Sequence, residues 1–122
     1  MADIEVSATS LIVHIRGADQ FFALKSQIEV PLDHIARVIV NPPEAHSIWH
    51  GLRIGGTNLP GVITAGRFVH HGEWAFWDVS DPDKAICIEL HDEHYARIVV
   101  GVDDPVGVAQ AITAAISVNR PE

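Results

Sequence analysis

Residues 59–90, LPGVITAGRFVHHGEWAFWDVSDPDKAICIEL, constrain the fold more than any other part of the chain. Runs of strand length, rich in β-branched and aromatic residues, alternate there with the turn formers His70-His71-Gly72 and Asp81-Pro82-Asp83. That spacing predicts three consecutive β-strands joined by tight turns. Phe68, Trp74, Phe76 and Trp77 fall in the middle pair. Trp74 and Phe76 alternate with Ala75 and Trp77, so the strand presents aromatic side chains to both faces of its sheet. One face must be core. If the other is left uncovered within one chain, it is an apolar patch of the kind that marks an interface.

Further turn signals stand at Gly17-Ala18-Asp19, Asn41-Pro42-Pro43, Gly55-Gly56-Thr57-Asn58 and Asp92-Glu93-His94. Alternation between them assigns inward faces. Leu11, Val13 and Ile15 share one face, as do Ile28 and Val30. Ile86, Ile88 and Leu90 oppose Cys87 and Glu89, and Ile98, Val100 and Val102 oppose Arg97, Val99 and Gly101. Ile35–Val40 is a more continuous apolar run, as a covered central strand would be.

Two helices are predicted. A short one spans about 43–50, opened by Pro42 or Pro43 with Glu44 near its N-terminus and ended by Gly51. The second spans about 104–118, with Asp103 or Asp104 as N-cap and Pro105 at the first helical position. Val108, Ala109, Ile112, Ala115 and Ile116 form its apolar stripe. The expected fold is therefore mainly β: a barrel or sandwich of about seven antiparallel strands, spanning about 4–102 and capped by a C-terminal amphipathic helix. The chain reads as one domain over 1–122.

Composition removes several function classes. Sixteen acidic residues against eight basic ones give a formal net charge of −8. A polyanion needs a basic patch, so nucleic acid and anionic lipid are poor partners. The N-terminus MADIEVSATS lacks a basic segment followed by an apolar one, and no apolar run approaches the ~20 residues of a membrane span. The lone Cys87 lies within an apolar run and has no partner for an internal disulfide. The expected compartment is the cytoplasm.

The residues Pro60-Gly61-Val62-Ile63, Ala65-Gly66, Phe68, Phe76-Trp77-Asp78-Val79, Asp81-Pro82-Asp83-Lys84-Ala85 and Ile88-Glu89-Leu90 together resemble a bacterial pleckstrin-homology-like (PH-like) domain family. Tyr95-Ala96-Arg97-Ile98-Val99-Val100, Asp104-Pro105, Pro31-Leu32-Asp33-His34-Ile35 and Trp49-His50-Gly51-Leu52-Arg53 continue the resemblance over nearly the whole chain. It implies a PH-like barrel with a C-terminal helix, no enzymatic activity, and a role in oligomer formation or protein contact. Phosphoinositide-binding members use basic residues near the first strands. Here that region offers Arg16 and Lys25, flanked by Asp19 and Glu29, which argues against lipid binding.

Chemistry-bearing motifs are sparse. His46 and His50 are spaced i, i+4, but Ser47 stands where a zincin helix has glutamate. His70-His71 lies in a hairpin loop, and His91 and His94 flank Asp92 and Glu93. If a metal binds, these six histidines are its candidate ligands; turn residues facing water are the ordinary reading. Cys87 in mid-strand is a poor nucleophile, and no GxSxG elbow occurs. Asp78, Asp81 and Asp83 lack the glycine and glutamate of a calcium loop, so Asp81-Pro82-Asp83 reads as a β-turn. Gly55-Gly56-Thr57 lacks a Walker lysine. No catalytic residue and no cofactor are expected.

The reading that follows is a non-enzymatic homo-oligomerisation or protein-binding module. Trp49, Trp74, Trp77 and Tyr95 are its candidate interface residues, because aromatic side chains are favoured at interface centres. The alternative is a small-ligand or metal-binding protein that uses the clustered histidines.

Overall fold

The computed structural model describes residues 2–16, 27–42, 52–59, 63–70, 72–79 and 81–119. The described residues are mainly β, with a helix at the C-terminal end. The strands are β1 (Ala2–Val6), β2 (Ser10–Ile15), β3 (Gln27–Pro31), β4 (Ile35–Val40), β5 (Leu52–Leu59), β6 (Ile63–His70), β7 (Glu73–Val79), β8 (Ala85–Leu90) and β9 (Tyr95–Gly101). Helix α1 spans Pro105–Asn119. The predicted helix at 43–50 lies outside the described residues.

These strands form two sheets. A three-stranded sheet has the order β1-β2-β3, and a six-stranded sheet has the order β4-β8-β9-β7-β6-β5. The 3-10 turn Leu32–His34 carries the chain from the first sheet into the second. The expected class holds, with three corrections: the described residues form nine strands rather than about seven. Among the described residues the sheets do not close into a barrel. Nor are all the pairings antiparallel, since β7 and β9 run parallel. After the β5-β6-β7 meander the chain passes over one strand position to place β8 beside β4, and β9 then fills the gap. Hydrophobic alternation has the same period in parallel and antiparallel strands, so the sequence pattern does not separate them.

Turn chemistry sets the hairpins. His70 pairs with Glu73 across a two-residue connection, and Gly72 adopts φ +80 there, where a side chain would be strained. At Asp81-Pro82-Asp83-Lys84 the Lys84 N–H donates to the Asp81 carbonyl at 3.0 Å, and the Asp83 N–H donates to Asp81 Oδ1 at 3.0 Å. This is the expected turn, with Asp at its first position and Pro at its second. The β8–β9 turn turns through Asp92 in the left-handed region, φ +58.

The main core lies between the two sheets and under the helix. Leu11, Val13, Ile15 and Val30 come from the first sheet, and Phe76, Ile86, Ile88, Ile98 and Val100 from the second. Ile112 and Ile116 enter from α1. The predicted inward faces are those observed. Asp104 caps α1: its Oδ1 accepts from the Gly107 N–H at 3.1 Å, and its carbonyl accepts from the Val108 N–H at 2.9 Å. α1 lies mainly along β4, with further contact to the 3-10 turn, β1 and β8.

A second core occupies the opposite face of the six-stranded sheet. It holds Phe68, Ala75, Trp77, Val79, Ala85, Cys87 and Val99, with Ile39 packed against it. β7, β8 and β9 are thus buried on both faces, as runs such as Ala85-Ile86-Cys87-Ile88 require. β4 departs from expectation. It is an edge strand, and Ala36, Arg37 and Val40 on it are exposed.

Candidate functional site

The topology brings four histidine positions to one end of the six-stranded sheet. His34 precedes β4, His70 ends β6, and His91 and His94 bracket the β8–β9 turn. The register places these ends side by side, with Ile35 opposite Leu90, Trp74 beside Tyr95, and His70 opposite Glu73. His34 was not among the sequence candidates. It lies far from the others along the chain, and only strand pairing joins them.

His34 Nδ1 meets Glu93 Oε2 at 2.5 Å, while the His91 N–H donates to the His34 carbonyl at 2.9 Å. The rings of His34 and His91 stand 5.8 Å apart, and His91 Nδ1 meets Asp92 Oδ2 at 3.1 Å. These contacts clasp the β8–β9 turn to the segment between the sheets. The hydrogen bond to Glu93 raises the His34 pKa above its ordinary value. Burial works against this, and the charges of Asp33, Glu93 and Asp92 add to it. A histidine stabilised in its charged form contributes stability that is full below the unfolded-state pKa and is lost as pH rises through the folded-state value. Glu93→Gln should therefore cost more stability at about pH 5.5 than at about pH 8.5. The His34 ring signals in an NMR titration should have a midpoint above about 6.5 that moves down in Glu93→Gln.

On the same sheet end, Trp74, His94 and Tyr95 pack ring against ring. Trp74 and His94 are 5.1 Å apart at 32°, and His94 and Tyr95 are 5.0 Å apart at 67°. Tyr95 meets Phe76 edge-on at 5.9 Å, which roots the group in the main core. Burial pushes the Tyr95 hydroxyl pKa up, against the pull of the nearby Arg67 charge. Trp74 and Tyr95 are half-buried and His94 is exposed.

The remaining sequence candidates fare differently. Trp77 is 3% exposed, edge-on to Phe68 at 6.1 Å within the second core. So deeply buried a side chain offers a partner almost no surface. Trp49, His46, His50 and His71 lie outside the described residues. Among the described residues, no three His, Cys, Asp or Glu side chains group as a metal site. Cys87 is buried. Arg16, the first-strand cation weighed for lipid binding, lies 3.5 Å from Asp3 and 3.3 Å from Asp103. No helix among the described residues is long and apolar enough to cross a membrane.

One surface was missed at the level of sequence. The 15 residues of α1, PVGVAQAITAAISVN, include no charged side chain. Ordinary surface helices carry charge on their outer face. Here that face presents Val106, Gln110, Ala111, Thr113, Ala114 and Val118, with Val106 56% and Val118 84% exposed. A shallow groove of about 400 Å³ runs between α1 and β4, lined by Val40, Val106, Ala109, Gln110, Thr113 and Ala114. The signal was legible, since an uncharged segment of this length is conspicuous in a chain that is 20% charged.

Compared with known proteins, the chain matches no family model, no curated protein and no solved structure.

Proposed function

We propose that this chain is a non-enzymatic, bacterial PH-like domain of the cytoplasm whose role is self-association. The observation that carries this reading is the uncharged outer face of α1. A chain with a net charge of −8 repels its own copies, and most approaches bring carboxylates together. The helix face and its groove let two copies meet without opposing like charges. A two-fold contact would set α1 against α1, with Val106 and Val40 filling the facing grooves. The helix is about 22 Å long. Its face alone falls short of the roughly 800 Å² per partner of a standard interface, so a dissociation constant in the micromolar range or weaker is expected.

Light scattering should show the mass of wild-type protein rising from monomer toward dimer over about 5–500 μM. Added salt should strengthen the association by screening the net charge. Val106→Glu should weaken it at least about tenfold, with the circular dichroism spectrum unchanged. A wild type that stays monomeric at about 500 μM overturns the proposal.

A further inference from the structure

The groove beside α1 opens onto the outer edge of β4, through Val40. β4 ends the six-stranded sheet, and among the described residues no strand lies beyond it. The phase of its hydrogen bonds fixes which backbone groups face outward. The Asn41 N–H donates to the Ala85 carbonyl at 3.0 Å, and the antiparallel register with β8 sets Arg37 opposite Glu89, Val38 opposite Ile88, Ile39 opposite Cys87 and Val40 opposite Ile86. Bonded and non-bonded pairs alternate in such a ladder. Arg37, Ile39 and Asn41 therefore turn their backbone groups toward β8, and Val38 and Val40 turn theirs away from the sheet. Edge strands are ordinarily protected by a bulge, by proline or by charge. Here a bulge stands between Ile35 and Arg37 and Pro42 follows the strand, but the stretch Val38-Ile39-Val40 between them has no such protection. Val40 is 39% exposed.

We infer that β4 pairs with β4 of a second copy across a two-fold axis at Ile39, so that the two six-stranded sheets become one. The inference rests on the self-association proposed above and names the rest of its interface. What bounds the open stretch fixes the register. The bulge between Ile35 and Arg37 interrupts regular pairing on one side, and Pro42 has no N–H to offer on the other. An axis at Ile39 sets Val38 opposite Val40 of the other copy, and each such pair exchanges both backbone hydrogen bonds. The side chains agree with this register. Val38 packs on the main core and Val40 lines the groove, so on that face the two α1 helices lie side by side and antiparallel above the valines. On the other face Ile39, which packs on the second core, meets Ile39 of the other copy. β4 carries no carboxylate, and its one charged side chain, Arg37, is held by Glu89 at 2.8 and 3.1 Å. A chain of net charge −8 thus meets its copy here without opposing like charges. The helix face alone falls short of a standard interface, and the edge adds contact that it lacks. Each backbone hydrogen bond replaces bonds to water, so the pairing sets register more than affinity and the micromolar expectation stands. A two-fold pairing also uses up the edge, with no open-ended growth through β4.

The test is amide hydrogen exchange of the full chain, read residue by residue by NMR at about 20 μM and about 1 mM, beside light scattering at the same concentrations. The Val38 and Val40 amides should exchange at least about threefold more slowly at the higher concentration. The Ile39 amide, bonded to β8 within one chain, should be slow at both. Val106→Glu should remove the concentration dependence. Val40→Pro deletes an outward N–H and leaves the β4–β8 ladder intact. It should weaken association at least about tenfold, and Val40→Ala, which keeps the amide, should weaken it less. A mass that rises while the Val38 and Val40 amides exchange equally fast at both concentrations overturns this inference and leaves association through the helix face standing. Protection of both amides at about 20 μM in a monomeric sample also overturns it, since the edge is then covered within one chain. A mass that stays monomeric at about 1 mM overturns this inference and the proposed self-association together.

Discussion

Trp77→Ala should lose about 3–5 kcal/mol of folding stability and leave the self-association of the remaining folded protein unchanged. The residue is 3% exposed and shares a cluster with Phe68, Val79, Cys87 and Val99. Removing its indole leaves a cavity between stiff, β-branched strands that cannot easily collapse, so the transfer and cavity costs add. Against a typical total of about 5–15 kcal/mol, the loss takes a large share of the margin. In a chain of this size it should lower the melting temperature by roughly 10–20 °C. Thermal unfolding by circular dichroism, beside light scattering at matched concentration, reads both quantities. A small loss of stability together with a change in assembly mass would put Trp77 at an interface after all and contradict the burial described here.

Trp77 also marks where sequence pattern stops being informative. Alternation correctly assigned Leu11, Val13 and Ile15, Ile28 and Val30, and the Ile86/Ile88 and Ile98/Val100 rows to the core. Each of these lies on a strand whose inward face contrasts with what surrounds it, or on a β-branched run that only a strand accommodates. The Asp104-Pro105 cap and the α1 stripe were equally legible, because capping and helical period are local properties. What alternation cannot report is how many faces are covered. Val99 was placed opposite the inward row of β9, yet it is buried in the second core beside Cys87, whose burial was expected from its apolar run and not from alternation. Strand order was hidden for a related reason. β4 looked like a central strand because Ile35–Val40 is apolar, but its neighbours are β8 on one side and α1 across its face. The helix supplies the cover that a second strand was expected to give. His34 became part of the site only through the pairing of β4 with β8, which no local signal encodes.

Burial on both faces makes a sharper prediction at two adjacent residues of β9. Ile98 and Val99 point to opposite sides of the sheet, and each is 0% exposed. Ile98 belongs to the core shared with Phe76 and Ile88, and Val99 to the one shared with Trp77 and Cys87. Ile98→Asp and Val99→Asp should therefore be equally damaging. Each places a carboxylate where no water reaches, at a cost of roughly 4 kcal/mol or more, enough to unfold a domain of ordinary stability. Arg97 provides the contrast. It shares the Val99 face but lies at its rim, where Arg37 and Glu89 pair at 2.8 Å and Arg97 reaches Glu73. The hydrogen bond from Arg37 holds the Glu89 carboxyl below its usual pKa, with the Arg37 and Arg97 charges adding to the effect. Such exposed pairs contribute little, so Arg97→Ala should cost no more than about 1 kcal/mol. Soluble yield and urea unfolding of the three variants read the difference. If Val99→Asp folds like wild type while Ile98→Asp does not, the second face is open in solution and Trp77 returns as a candidate contact. If both fail and Arg97→Ala does not, the six-stranded sheet is covered on both sides, and surface recognition is left to its rim, its aromatic end and the helix.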